Sequence, residues 1–160
     1  ICYVFGSGIT SNDTGILFQN RGTNFRIEKN HPNCIDGLKR PLHTIIPGLV
    51  LNDNKPILSY GVMGGQYQPV GHVHVLNNIF DYKMNPQEAL DFPRAFHFNN
   101  LYMLEHGVEI NIEDQLKKNG HETIRVNDTH GGGQAIRINW EKGLLIGGSD
   151  PRKDGCALGI

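Results

Sequence analysis

The sequence predicts an α+β fold, helices packed on largely antiparallel sheet. Three observations predict it. Apolar strand-like runs come in pairs around short turns, at 43–51 with 57–62 and at 133–140 with 143–147. Helical periodicity is confined to the middle of the chain. Glycine is abundant, 20 of 160 residues, but has no fixed period, which marks turns and strand junctions rather than a fibrous repeat.

The elements follow in order. The opening "ICYVFGSGIT" has the character of a strand end running into a tight turn, and a strand at residue one suggests sequence missing upstream. "TGILF" (14–18) reads as a second strand, "QNRGTNF" as a loop, and 26–40 as a surface loop, since it carries a proline, a glycine and no period. The 43–51 strand turns at "DNKP" into 57–62, a hairpin. Val70, Val73, Leu76, Asn77, Ile79 and Phe80 recur at helical spacing and predict a helix over about 67–81. Asn85, Pro86 and Glu88 form a helix-start signal, and Pro93 ends that helix. Short strands are expected near 101–104 and 107–110. "NIEDQLKKNGH" is a helix with acids early and lysines late, closed by Gly120. The last hairpin surrounds "EKG". No βαβ fingerprint is visible, and the length suits one domain over 1–160, or part of a larger assembly.

Bulk composition excludes several classes. Lys plus Arg is 15 and Asp plus Glu is 16, so no basic excess points to nucleic acid. No apolar run approaches the eighteen or so residues of a spanning helix, so no membrane partner is expected. Cys2, Cys34 and Cys156 form no CxxC, which favours a reducing compartment, hence the cytoplasm, although an exported protein is not excluded. No metal or other cofactor is expected, because HExxH and recognised ligand clusters are absent.

The candidate chemistry lies at Gly61, Gly64 and Gly65, between a strand and a helix. Glycine permits positive φ and close approach to the peptide, and N–H groups at a helix start are unpaired. Two such groups can hold an anion or the oxygen of a tetrahedral intermediate. A tight turn with no ligand explains the same glycines, and spacing alone does not decide. No GxSxG supplies a nucleophile. His72 and His74 would point to different faces of a helix. His43 and Thr44 sit together on a strand, facing a site or simply suiting a strand. "THGGGQA" (129–135) lacks the Lys-Ser/Thr of a P-loop and reads as a loop.

"FGSGI" (5–9), "GILFQN" (15–20), "KRPLHTIIP" (39–47), "GVMGG" (61–65), "NPQEALDFPR" (85–94) and "GGSDPRKDG" (147–155) together resemble the small subunit of the gamma-glutamyltranspeptidase family, over nearly the whole chain. The resemblance implies an N-terminal nucleophile (Ntn) amidohydrolase with an αββα sandwich. It implies a precursor that cuts itself into a large and a small subunit and frees a threonine as nucleophile, with its own α-amino group as base. That threonine would lie upstream of this chain. Gly64 and Gly65 match the family's backbone oxyanion donors. The implied partners are the large subunit of the same precursor and a small-molecule amide substrate, in a heterodimer or a dimer of heterodimers.

Departures from the family pattern bear on the substrate. Arg21 and Asn24 stand where typical members hold the substrate's α-amino group with Gln and Asp. His43 and Thr44 stand where two serines contact its α-carboxylate, and Cys2 replaces an asparagine at the glutamyl end. A guanidinium repels an ammonium group and suits a carboxylate. The expectation is acyl-transfer chemistry on gamma-glutamyl or related carboxylate-bearing amides, with hydrolysis favoured over transpeptidation. The alternatives are a catalytically silent relative that binds a carboxylate ligand or serves assembly, and a phosphate-binding module using the glycines. Among other family-shaped positions, Asp150 is expected to pair with an arginine in a turn, Asp91 and Arg94 to bridge on a helix surface, and Trp140 to pack.

Overall fold

A computed structural model describes residues 5–159, so Cys2 lies outside the described residues. The chain divides into two compact units between Ile45 and Ile46.

The first unit has little regular structure. The Ser7 amide and hydroxyl both donate to the Phe18 carbonyl, and Phe18 N–H donates to Ile9. "TGILF" is therefore not a strand. Thr10 and Leu17 make one isolated antiparallel bridge, because a turn closed by Gly15 N–H on Ser11 O bends the chain back on itself. A short 3₁₀ turn follows at Arg21–Asn24. Arg26 and Cys34 form a second isolated bridge, within the stretch expected to be loop.

The second unit carries seven strands and three helices. β1 (Gly48–Asn52) and β2 (Lys55–Met63) form the expected hairpin. β1 begins later than the apolar run suggests, since Pro47 has no N–H to give a ladder. β2 ends at Met63, a 3₁₀ turn covers Gly65–Tyr67, and α1 spans Gln68–Phe80. Gly71 is required there: a Cβ would overlap Tyr67 and Val62. α2 (Pro86–Asp91) has the expected capping box, the Glu88 amide donating to Asn85 Oδ1 and the Asn85 amide to Glu88 Oε2.

β3 (Ala95–Phe98), which the sequence does not announce, pairs with β4 (Leu101–Glu105) through Asn99 and Asn100, both at positive φ as a two-residue hairpin needs. Residues 107–110 are not a strand. Val108 N–H closes a turn on Glu105 O, and α3 begins at Ile110 and ends at Lys118 before Gly120. β5 (Glu122–Val126), also unannounced, then pairs parallel to β4, so β4, α3 and β5 make a crossover unit. β6 (Gly132–Asn139) and β7 (Leu144–Ser149) form the last hairpin.

The strands build an antiparallel sheet in the order β1-β2-β6-β7 and a mixed sheet in the order β3-β4-β5. Leu58, Tyr60 and Val62 of β2 and Ala135 of β6 share a core with Tyr67, Val75, Ile79, Ala89 and Leu90. Alternation along the strands sends the other set of side chains to the opposite face, where Leu49, Leu51, Ile136 and Leu145 are exposed.

Candidate active site

The glycine turn after β2 carries the two oxyanion candidates of the second unit. Gly64 has φ 132° and ψ 30°, and Gly65 has φ 60°, conformations side chains resist. A Cβ on Gly64 would lie 2.8 Å from Gly131 Cα, so a neighbouring backbone fills that space. Gly65 opens the 3₁₀ turn, where an N–H has no acceptor behind it. Among the described residues, the Gly64 N–H donates to no carbonyl, while its own carbonyl accepts from Tyr67. The two amides are thus not consumed by neighbouring strands.

Tyr67, buried behind the turn, stacks on the His130 ring with centroids 5.6 Å apart. Burial pushes its phenol up to about 12, the nearby Arg94 cation opposing and Glu105 adding to the rise. His130 Nε2–H donates to Met103 O, which fixes the tautomer. His72 and His74 diverge. His72 Nδ1–H donates to Gln68 O, and its Nε2 accepts from Val62 N–H. His74 packs by Phe92, and burial, aided by the Arg94 and Arg152 cations, lowers its pKa. Among the described residues no three His, Cys, Asp or Glu side chains gather as a metal site requires.

Beneath the turn lies a buried ionic quartet. Arg94 and Asp150 are fully buried and pair at 2.6 Å. Arg152 binds Glu105 at 2.5 Å and Asp150 at 3.2 Å. Arg94 therefore makes no surface bridge to Asp91, which instead accepts from Gln87. The partner lies 56 residues away in β7's exit turn, a distance no local spacing reveals. Asp150 pairs with arginine as expected. Trp140 donates to Pro56 O at the edge of the sheet and stays largely exposed.

The other candidates belong to the first unit. Arg21 Nη1 donates to the Thr44 hydroxyl, so the 3₁₀ turn and the segment after Pro41 are tied together. Asn24 Nδ2 donates to Leu42 O at 3.3 Å, and the Asn24 carbonyl accepts from Asn33. Arg21, Asn24 and Thr44 are half-buried, whereas His43 is exposed. Arg21 thus bonds Thr44 directly, Asn24 bonds the neighbouring Leu42 carbonyl, and His43, between Leu42 and Thr44 in sequence, is exposed. Arg21 keeps further N–H groups in its planar fork beyond the one given to Thr44.

Comparison with known proteins decides the lineage. The gamma-glutamyltranspeptidase family model matches residues 1–160. The chain belongs to the gamma-glutamyltranspeptidase family. It is 38% identical to a glutathione hydrolase-like YwrD proenzyme of Bacillus subtilis over 99% of this chain and 32% of that relative, so it spans about a third of its relative's length. Cephalosporin acylase from Bacillus halodurans superposes with a TM-score of 0.84 at 42% identity, covering 94% of this chain and 29% of that one. A Helicobacter pylori gamma-glutamyltranspeptidase mutant superposes with a TM-score of 0.81 at 29% identity, covering 95% of this chain and 89% of that one. The fold is thus the α+β sandwich type of the Ntn hydrolases. No helix among the described residues is long and apolar enough to cross a membrane.

Proposed function

We propose that this chain is the small-subunit part of an amidohydrolase whose nucleophile, an N-terminal threonine, is supplied by sequence upstream of it. The observation that carries the reading is the turn at Gly64 and Gly65, with amides left free by the strands beside it. In the proposed reaction the threonine oxygen attacks the amide carbon and its α-amino group takes the proton. The carbonyl oxygen becomes negative as the tetrahedral intermediate forms, and the two amides stabilise it. Collapse expels the amine, which leaves with a proton, and water then attacks the acyl-enzyme to release the acid. Each oxyanion donor is worth about 3–4 kcal/mol of barrier.

Arg21, Asn24, His43 and Thr44 are assigned recognition of the acyl group. Arg21 is the discriminating member. Its charge favours a carboxylate and disfavours an α-ammonium group. The resulting preference is for gamma-glutamyl or related carboxylate-bearing amides, with a dicarboxylic acyl group such as glutaryl favoured. One solved neighbour is named a cephalosporin acylase, which supports a reading in which the acyl group need not be glutamyl. Hydrolysis rather than transpeptidation is the proposed outcome.

The large subunit of the same precursor is the proposed partner. The exposed apolar face of the β1-β2-β6-β7 sheet, with Leu49, Leu51, Ile136 and Leu145, suits burial against a second sheet.

Intact mass and N-terminal sequencing of the full-length protein test the reading. Two fragments are expected, the smaller beginning with threonine. A precursor that stays whole and releases no amine from either gamma-glutamyl or glutaryl anilide would sink it. Arg21→Gln should raise the KM for glutaryl anilide by about 10-fold to 100-fold, as loss of a charged hydrogen bond does. Unchanged kinetics would remove Arg21 from acyl recognition.

A further inference from the structure

The segment leading into β6, within the 129–135 stretch that the sequence reads as a plain loop, abuts the glycine turn directly. Gly64 and Gly131 touch backbone to backbone, and a Cβ on Gly131 would overlap the Met63 carbonyl and the Tyr67 ring. The two segments leave adjacent strands at the same end, with Met63 opposite Gly132 in the β2-β6 ladder.

That segment is gripped by the ionic quartet through its main chain. Arg94 Nη1 donates to His130 O at 2.7 Å. The His130 amide donates to Glu105 Oε1 at 2.9 Å. The Gly133 amide donates to Asp150 Oδ2 at 2.8 Å. Arg152 holds both acids, donating to Glu105 from Nε and Nη2 and to Asp150 from Nη1. The Arg94 amide closes the set on Glu105 Oε2. The Arg94 guanidinium also lies 5.9 Å from the centre of the Tyr67 ring, which packs behind Gly64.

A quartet needed only for cohesion would find partners within itself and nearby. Here Arg94 and Glu105 bond the His130 backbone in the irregular segment before β6, and Asp150 bonds Gly133 at the start of β6, so the contacts fall on both sides of Gly131. We propose that Arg94, Glu105 and Asp150, braced by Arg152, are positioning residues for the oxyanion turn, acting through residues 130–133, whose Gly131 is pressed against Gly64. They touch no substrate. They set the direction in which the Gly64 and Gly65 amides point. The catalytic consequence rests on the amidohydrolase reading, whereas the mechanical link does not.

The test is amide hydrogen exchange by mass spectrometry on the full-length protein, comparing wild type with Arg94→Lys and Glu105→Gln. Lysine keeps the charge for Asp150 but lacks the fork that also reaches His130. Exchange in peptides covering 128–134 and 61–67 is expected to rise together by about tenfold, with α3 (110–118) unchanged. Loosening of 128–134 alone would overturn the link, and so would no change in either segment. Loosening of all three segments would show a global role and would also overturn it. If Arg94→Lys does not fold, Glu105→Gln carries the same readout. Where the wild type hydrolyses an anilide substrate, both variants should lower kcat by about tenfold with KM within about twofold, the pattern of an interaction made only in the transition state. Equal falls in affinity and rate would contradict it. An inactive wild type would defeat the enzyme reading, while the exchange result would still decide the link.

Discussion

The two units of the chain place their candidate residues on opposite kinds of support. Gly64 and Gly65 end a nine-residue strand, open a helix, and rest on a loop bonded to fully buried charges. Arg21, Asn24, His43 and Thr44 lie on segments with one 3₁₀ turn and two isolated bridges, held by side-chain bonds such as Arg21 to Thr44 and Asn24 to Leu42. The difference teaches where each proposed role rests: on the proposed reading the amides that meet the oxyanion follow a regular strand, and the residues that recognise the acyl group lie on segments with little regular structure.

The contrast is broken most directly at Asp150. Asp150→Ala strands Arg94 in a dry interior and should cost about 3–5 kcal/mol, read by chemical denaturation. Comparable loss from any single substitution among Arg21, Asn24 and Thr44 would erase the contrast. Next is Gly64→Ala. Its methyl group would enter Gly131 at a φ that alanine resists, and kcat should fall by about 100-fold. A third test uses acid. Burial raises the Glu105 carboxyl, but the Arg152 hydrogen bond and the His130 and Arg94 amides outweigh it, so the net shift is downward. A carboxyl depressed in the folded state adds stability above its unfolded pKa and loses it as pH falls through the folded value. The gap in Tm between wild type and Glu105→Gln should therefore shrink as pH drops below about 4.5, and a gap that widened would refute the assignment. Smallest are two surface controls. Asn85→Ala removes the α2 cap and should cost about 1 kcal/mol. Arg26→Ala, which breaks the exposed pair with Glu28 in the first unit, should cost less than about 0.5 kcal/mol in a thermal melt.

Local signals were read correctly from the sequence where one stretch of chain decides its own shape. The β1-β2 hairpin (with β1 starting later than its apolar run), α1 with its apolar spacing, the Asn85–Glu88 box and the stop at Gly120 match the sequence reading. What escaped depends on distant partners. β5 exists because it lies parallel to β4 across α3, and five residues reading "ETIRV" carry no trace of that register. "TGILF" has strand composition but no strand beside it among the described residues, so it makes a single bridge. Arg94 misleads in the same way: Asp91 stands three residues off, yet the carboxylate it meets comes from the far end of β7. At the site, the glycines were visible, but a free turn and a ligand turn have the same letters. The 129–135 stretch offered one signal, three glycines in a row, and only their fit against Met63 and Gly64 gives it meaning.

The quartet contains two cations and two anions, so its formal charges cancel. On the proposed reading, an oxygen turning negative at Gly64 would meet its two amides beside a quartet that carries no net charge, although single members such as Arg94 still act on neighbours like Tyr67. Neutralising one member, as in Asp150→Asn, would leave the cluster with one net positive charge in the interior, where salt screens little.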